Sequence, residues 1–256
     1  MKHLVAGKGF IGSSLGEKLD GEVKYLDRSG ADYNFDITEE FEIRESFDTV
    51  YHCIGLAPGF ATREKYHAVH VEGTRNLLNA VNADKIVYVS ALNPEPDHSF
   101  FNTKQEAEKL VKESDIAYTV LRPSTVTGGG NRLLDLMRKA SVTRMFPDLP
   151  TRTQPIALED FVDCLAKVSD SRNGEVLNIA GPEKMEMFEL AERIYREEGR
   201  RCFRLPLPEG FPEAFLNLVG IANVPPFTRE NSVLVTADNT TDENHAPQLT
   251  QLQKAL

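Results

Sequence analysis

The stretch Met1-Lys-His-Leu-Val-Ala-Gly-Lys-Gly-Phe-Ile-Gly12 decides the fold that this sequence predicts. Lys2 to Ala6 form a short, mostly apolar run typical of a strand, and Gly7, Gly9 and Gly12 follow in the spacing G-x-G-x-x-G. In this spacing the first glycine permits a tight strand-to-helix turn, and the second lets backbone approach a pyrophosphate. The third lets the helix pack closely on the strand. The helix that follows offers unpaired N–H groups to phosphate. The stretch therefore predicts a dinucleotide-binding turn.

An acidic residue at the end of the second predicted strand supports this interpretation. Val23-Lys-Tyr-Leu26 is an apolar run, and Asp27 follows it, twenty residues after Gly7. A carboxylate there can accept a hydrogen bond from a ribose 2′-hydroxyl and repels a 2′-phosphate, which favours NAD. Arg28 and Lys8 could instead pair with that phosphate, so NADP is the alternative cofactor.

The composition is that of an ordinary globular chain of 256 residues, 41% hydrophobic and 27% charged. A formal net charge of −10 argues against non-specific binding to nucleic acid or anionic lipid. No apolar run approaches the ~18 residues of a membrane span, and no charged-then-apolar leader is visible, so we expect a cytoplasmic protein. Cys53, Cys164 and Cys202 include no C-x-x-C pair, and they predict neither a disulfide framework nor a metal site.

Strands and helices alternate over the first 125 residues. Further strands are predicted at 33–37, 49–54, 85–90 and 118–122, and helices at 66–82 and 100–114. A shorter helix is predicted to begin at Thr38 and to include Phe41, Arg44 and Phe47. This alternation predicts an α/β fold with a doubly wound parallel Rossmann sheet, which binds its ligand beyond the carboxyl ends of the strands. The residues at those ends, which we expect to line the cofactor site, are Gly7, Gly9, Phe10, Ile11, Gly12, Asp27, Arg28, Asp36, Ile37, Cys53, Gly55, Leu56, Ser90, Pro123, Ser124 and Thr125.

Beyond residue 125 the alternation changes, and the sequence predicts a small C-terminal α/β lobe. We assign 1–125, with 151–181 returning to it, to the Rossmann core, and 126–150 with 182–256 to the lobe. Helices are predicted at 131–140, 159–168 and 187–198, and strands at 176–179 and 203–207. Proline-rich turns between 206 and 226 separate short helical pieces, and the polar tail from Thr236 is expected to be partly loose at its end.

The order of motifs resembles the extended short-chain dehydrogenase/reductase superfamily, which includes the sugar-nucleotide epimerases and dehydratases. The matching pieces span residues 1 to about 210 and are 7–12, 52–55, 71–78, 87–91, 121–124, 154–160 and 177–182. Segments 90–92, 227–230 and 237–239 are similar to the atypical branch of the NADPH-binding accessory subunit of respiratory complex I. The resemblance implies NAD or NADP as cofactor. A small-molecule substrate, a homodimer or a protein partner would each be compatible with it.

Catalysis in that family uses a serine, a tyrosine and a lysine, and the resemblance maps them unevenly. Lys104 matches the lysine of Y-x-x-x-K, whose ammonium can hydrogen-bond the nicotinamide ribose, but Phe100 stands at the tyrosine position. Ser90 matches the serine unless the equivalent position is Ala91. Phenylalanine can neither donate nor accept the proton that the tyrosine transfers.

Other side chains are candidates for the missing proton donor. His98 is the candidate acid, because histidine has a suitable pKa; the alternative is a surface or helix-capping histidine. His70 takes a place where the family often has asparagine, so we expect it to be structural. Glu106 and Glu108 follow Lys104 on one helix and are expected to face solvent.

Three interpretations of function stay open. The first is an NAD(P)-binding protein without the tyrosine chemistry, which senses redox state or acts as a scaffold. The second is an NAD(P)-dependent epimerase, dehydratase or reductase with a substituted proton donor. The third is an interaction module with an empty site. The short second lobe favours a small or absent sugar-nucleotide pocket.

Overall fold

The structure is a computed structural model that describes residues 1–92, 98–169, 171–206, 238–253 and 255. The strands in these residues are β1 (Lys2–Ala6), β2 (Glu22–Asp27), β3 (Tyr33–Asn34), β4 (Ser46–His52), β5 (Asn82–Val89), β6 (Ala117–Pro123), β7 (Val126–Thr127), β8 (Met145–Pro147), β9 (Arg152–Thr153), β10 (Ile156–Ala157), β11 (Glu175–Ile179), β12 (Met185–Glu186) and β13 (Phe203–Leu205). The helices are α1 (Phe10–Gly16), α2 (Arg63–Tyr66), α3 (Gly73–Ala80), α4 (Ser99–Glu113), α5 (Arg132–Ala140), α6 (Leu158–Lys167) and α7 (Met187–Glu197). None of these helices is long and apolar enough to cross a membrane.

Seven of the strands form one parallel sheet in the order β11-β6-β5-β4-β1-β2-β3. The predicted doubly wound Rossmann sheet is therefore confirmed. The chain leaves β1 toward β2 on one side and later returns to β4 on the other, so the strand order reverses beside β1. Because all neighbours run parallel, their carboxyl ends meet at one edge, and in open α/β sheets the ligand crevice lies outside those ends at the reversal point.

The sheet is buried on both faces. Side chains alternate between the two faces along each strand, and helices cover both faces. Val5, Tyr51 and Val87 point to the face covered by α1 and α6, where they join one apolar cluster. Leu4 and Val50, their neighbours along β1 and β4, join a second cluster on the face covered by α3 and α4. Two covered faces explain why the central strands read as nearly continuous apolar runs.

The short helix predicted from Thr38 is wrong. Residues 35–45 have no helix in the structure, and β4 begins at Ser46, three residues earlier than predicted. Phe47, which suggested a helical spacing with Phe41, lies in β4 opposite Ala83 of β5. Ile37 and Ile43, each 5% exposed, anchor the connecting segment to the core instead.

The predicted helix over 66–82 is present but begins earlier. Thr62 caps α2 by accepting a hydrogen bond from the Lys65 N–H, and a π-helical turn over His67–Glu72 joins α2 to α3. Gly73 opens α3 against Ile37, where an added Cβ would lie 2.9 Å from the isoleucine side chain. Close packing at this glycine brings the helix against the segment that connects β3 to β4.

A separate apolar cluster holds the second lobe together. It is built largely from α5 and α7, with Leu134, Met137, Ile194 and Tyr195 buried within it. β13 pairs with β8 in parallel and β12 with β9 antiparallel. The predicted strand over 203–207 is seen over its first three residues, whereas Leu207 and the predicted helical pieces up to residue 226 lie outside the described part of the chain.

The segment 238–253, which the sequence assigned to the second lobe, packs on the Rossmann core. Ala246 is fully buried among residues of the core cluster beside α6, and Leu249 and Leu252 pack against that cluster. Asn244 fixes the entry to this segment by exchanging hydrogen bonds with the backbone of Ala180 at 3.0 and 2.9 Å. These contacts hold the tail in place through residue 253, whereas the end expected to be partly loose includes residues 254 and 256, which lie outside the described part of the chain.

Candidate functional site

The glycine loop has the geometry that its spacing predicts. Gly7 takes φ +102°, a value that favours glycine, and its N–H donates to the Leu26 carbonyl at 2.8 Å. A Cβ on Gly12 would lie 1.9 Å from the Gly7 carbonyl oxygen, so no larger residue fits between β1 and α1. A Cβ on Gly9 would meet no atom within 4 Å. Gly7 and Gly12 are thus required by the protein itself, whereas Gly9 faces free space.

The two residues inside this loop, Phe10 and Ile11, make protein contacts. Both are partly buried against the core cluster. The Phe10 ring also packs on the joint at Gly128 and Gly130, whose added Cβ atoms would each lie 3.2 Å from it. Phe10 therefore ties the glycine loop to the start of the second lobe. Direct contact of these two side chains with a cofactor stays a prediction.

The acidic residue predicted to recognise ribose lies beside the loop. The two Asp27 oxygens accept hydrogen bonds from the N–H groups of Lys8 and Arg28, both at 2.7 Å. The Lys8 ammonium turns away to donate to the Gly30 carbonyl at 2.9 Å. Asp27 is thus held by backbone at the end of β2, beside the glycine loop.

Asp36 and Ile37 follow β3 and differ in their surroundings. Asp36 is exposed, and the Thr38 backbone N–H and hydroxyl hydrogen-bond it and lower its pKa. Ile37 is buried against Gly73. Both lie on the predicted side of the sheet, with Asp36 facing outward and Ile37 inward.

Lys104 occupies the other side of the crevice, beyond β4 and β5. Its ammonium donates to the Val89 carbonyl at 2.9 Å and lies 5.0 Å from the centre of the Tyr88 ring. Gly55 makes room for it, since a Cβ there would lie 3.0 Å from Nζ. Burial lowers the pKa of Lys104 to about 8, and burial raises the pKa of the nearby Cys53 thiol to about 12.

His70 has the structural role predicted from the sequence. Its Nε2 accepts a hydrogen bond from the Leu56 N–H at 3.0 Å, and its Nδ1 lies 2.9 Å from the Thr103 hydroxyl. These bonds connect the loop after β4 to α4, and burial holds the pKa of His70 well below its usual value. A neutral ring that bridges loop and helix here also fixes Leu56 near the crevice.

Glu108 is buried, so the expectation that it faces solvent was wrong. Its carboxylate accepts hydrogen bonds from Arg122 at 2.8 and 2.7 Å, and from the Ser90 hydroxyl at 2.5 Å. Lys112 lies 3.2 Å from the same group. Burial opposes ionisation of Glu108, but the hydrogen bonds from Arg122 and Ser90 outweigh it and lower the pKa. The Ser90 hydroxyl, predicted to be catalytic, is therefore committed to Glu108.

His98 caps α4, which is the alternative that the sequence left open. Its Nδ1 accepts a hydrogen bond from the Phe100 N–H at 3.0 Å, and its side chain is fully buried, so a surface histidine is excluded. Phe100, one turn before Lys104, packs edge-on against Phe101 and Tyr66. Phe100 is thus part of an aromatic cluster.

The residues at and just after the end of β6 contact three other segments of the chain. Pro123 accepts a hydrogen bond from the Leu92 N–H at 2.9 Å. The Ser124 hydroxyl donates to the Asn239 carbonyl at 2.8 Å, and the Thr125 and Thr153 hydroxyls are 3.1 Å apart. The sequence resemblance included the segment 237–239 but did not predict this contact of Asn239, because a contact across more than a hundred residues leaves no local pattern.

Two of the crevices on the described part of the surface have a defined lining. One, of about 260 Å³, lies between the loop after β4 and α5, and it is lined by Phe60, Arg132, Asp135, Leu136 and Lys139. The other, of about 270 Å³, involves Met1, Asp48 and Lys85 at the amino-terminal edge of the sheet, away from the glycine loop. No group of three His, Cys, Asp or Glu residues arranged for a metal occurs within the described ranges.

Sheet order and glycine loop together define a Rossmann-like α/β fold. No family model matches the chain. Over 186 residues it is 26% identical to the mitochondrial NADH-ubiquinone oxidoreductase 40 kDa subunit of Neurospora crassa, covering 68% of this chain and 49% of that protein. Over 168 residues it is 27% identical to N-acetyl-alpha-D-glucosaminyl-diphospho-ditrans,octacis-undecaprenol 4-epimerase of Escherichia coli O157:H7, covering 50% of each. The chain spans about half the length of the curated relatives it matches.

Solved structures share the fold at low identity. MoeE5 in complex with UDP-glucose and NAD has a TM-score of 0.67 and 21% identity, over 80% of this chain and 85% of that one. RMD from Pseudomonas aeruginosa complexed with NADPH has a TM-score of 0.66 and 17% identity, over 80% and 87%. The curated relatives and these structures confirm the predicted resemblance to the epimerase/dehydratase group and, through the 40 kDa subunit, to the complex I branch. The two structures hold NAD and NADPH, the cofactors that the sequence predicted.

Proposed function

We propose that this chain binds a nicotinamide dinucleotide at the carboxyl edge of its sheet, without the family's tyrosine chemistry, as a redox-sensing or scaffold protein. The observation that carries the proposal is the free space at Gly9. Gly7 and Gly12 are fixed by contacts within the protein, but nothing in the fold itself requires glycine at position 9. A bare backbone facing empty space inside G-x-G-x-x-G is what a pyrophosphate needs for close approach.

The remaining groups fit the two ends of such a cofactor. The Gly7–Gly12 backbone would hold the pyrophosphate, Asp27 the adenosine ribose, and Lys104 the nicotinamide ribose. A bound nicotinamide supplies hydride transfer. The structural neighbours that hold NAD or NADPH support this assignment. Asp27 favours NAD over NADP, because a carboxylate repels a 2′-phosphate.

Phe100 is the reason to propose binding without the usual proton transfer. Position 100 lies one helical turn before Lys104, and its ring is packed among Tyr66 and Phe101. General acid–base help is commonly worth about 10²–10⁴-fold in rate, and a phenyl ring supplies none. The nearby Ser90 hydroxyl is engaged by Glu108, and His98 caps α4.

The test separates binding from folding by substituting two glycines of one loop. Gly9→Ala should leave the unfolding temperature unchanged, since its backbone is extended (φ −94°, ψ −154°) and an added Cβ meets nothing. It should weaken NADH binding at least about 100-fold, because two charge-assisted hydrogen bonds of ~1.5–3 kcal/mol each would be lost. Gly12→Ala should lower both stability and binding. A stable Gly9→Ala variant that binds NADH like the parent would show that the site is elsewhere.

The crevice beside α5 favours a second candidate, an enzyme that acts on an anionic small molecule. Arg132 lies 5.7 Å from the centre of the Phe60 ring, and Lys139 lies two turns further along the same helix face. Turnover of UDP-glucose and UDP-glucuronic acid, with NAD supplied, tests it. We expect none. Activity in the parent that His98→Asn removes would make the chain an enzyme with His98 as its acid, since asparagine keeps the helix cap.

A further inference from the structure

Lys104 carries its charge to one half of the proposed site. Its ammonium lies at the end of β5, bonded to the Val89 carbonyl at 2.9 Å and next to Gly55 in the loop after β4. Asp27 marks the adenosine half on the β1–β2 side of the crevice. A dinucleotide crosses the crevice where the strand order reverses, so its nicotinamide half lies on the β4–β5 side. Lys104 is therefore the cation at that half.

No carboxylate neutralises this cation among the residues that the structure describes. Glu108 lies one turn further along α4, but Arg122 takes both of its oxygens and Lys112 lies 3.2 Å away. The local sum is one carboxylate against the three cations of Lys104, Arg122 and Lys112. Lys104 itself forms no ion pair within the described ranges.

The other titratable groups that face Lys104 are uncharged at neutral pH. Burial raises the pKa of the Cys53 thiol to about 12 and also raises the pKa of Tyr88. Burial lowers the pKa of His52 to about 3 and also lowers the pKa of His70. Phe100, one turn before Lys104 on α4, has no ionisable group. At neutral pH none of these side chains is an anion, and the one carboxylate of the described residues that acts on the ammonium, Glu108, is already paired with Arg122.

We propose that the uncompensated charge of Lys104 makes the site selective for the reduced nicotinamide. The ring carries one positive charge in NAD⁺ and none in NADH, and a fixed ammonium beside it opposes the oxidised form alone. This inference rests on the proposed function and gives its redox-sensing form a physical basis. The protein would hold the cofactor while it is reduced and release it on oxidation.

The experiment compares dissociation constants of NADH, NAD⁺ and ADP-ribose, which keeps both riboses but lacks the ring. At pH 7 we expect NADH to bind at least about tenfold more tightly than NAD⁺, as the interaction of two unit charges a few ångströms apart in protein surroundings implies. Lys104→Met should bring that ratio close to one, whereas Lys104→Arg should retain it. Lys109→Met, an exposed lysine of the same helix, is the matched control and should leave the ratio unchanged.

A pH series on the unaltered protein gives a second readout that does not depend on any variant folding. The ratio should be constant below the Lys104 pKa of about 8 and fall toward one as the pH rises through it, because the ammonium then loses its charge. A parent ratio near one, a ratio that Lys104→Met keeps while ADP-ribose still binds, or a ratio unchanged up to pH 9.5 would each overturn the inference. Failure of ADP-ribose and NADH alike to bind the parent would instead overturn the proposed function.

Discussion

The buried Glu108 carboxylate allows the sharpest prediction about what holds the site together. Glu108 is 2% exposed, and it joins α4 to the ends of β5 and β6 through Ser90 and Arg122. Replacing Arg122 with methionine would leave the carboxylate with Ser90 and Lys112 alone. Replacing Glu108 with methionine would leave the guanidinium without its acceptor. Either change breaks one side of a two-bond contact.

The expected loss follows from the geometry. Removing one partner of a buried ion pair commonly destabilises a protein by about 3–5 kcal/mol. Because the Arg122 side chain is 28% exposed, we expect about 2–4 kcal/mol for each single variant. Replacing both partners by methionine leaves no unpaired charge at this contact. The free energy of unfolding lost in the double variant should therefore be smaller, by about 2 kcal/mol or more, than the two single losses added together.

Urea unfolding of the parent, both single variants and the double variant measures this coupling. The Glu108 pKa is lowered on folding, so its contribution is complete above its ordinary value of 4.5 and declines as the pH falls through the folded value. The coupling should thus be equal at pH 7 and pH 6 and smaller at pH 3.5. Additive single effects at pH 7, or a coupling that grows on acidification, would refute this account of the pair.

Two further predictions concern the cofactor and the chemistry. Asp27→Ala should shift the ratio of NADP to NAD affinity toward NADP, because the carboxylate that repels the 2′-phosphate is gone while Arg28 and Lys8 stay. Competition binding measures this ratio. A parent that already prefers NADP would contradict the assignment of Asp27. Phe100→Tyr places a phenol one turn before Lys104 and should give measurable turnover of a sugar nucleotide or ketone where the parent gives none. A silent Phe100→Tyr variant that still binds cofactor would mean that the site lacks more than the tyrosine.

Local patterns were sufficient for the sheet and the glycine loop but not for two elements of the structure. The spacing of Phe41, Arg44 and Phe47 suggested a helix, yet Phe47 lies in β4, where it pairs with Ala83 of β5. Such pairing depends on a strand more than thirty residues away, so tertiary structure overrides the local spacing.

Glu108 shows the same limit at the site. A glutamate in a helix is usually exposed, and its burial depends on Arg122, which comes from a different element. One signal was present: Lys104, Glu108 and Val111 recur at helical spacing, so an inward-facing Lys104 implies an inward-facing Glu108. The partner that makes this burial tolerable could not be read from the spacing.

The return of residues 238–253 to the first domain has a consequence for biosynthesis. Ala246, Leu249 and Leu252 complete the apolar layer beside α6, and they follow the whole second lobe in the chain. A ribosome delivers these residues only after both halves of the Rossmann sheet have emerged. During synthesis the apolar layer beside α6 therefore stays uncovered until these residues emerge. We expect the incomplete chain to bind chaperones that shield apolar surface.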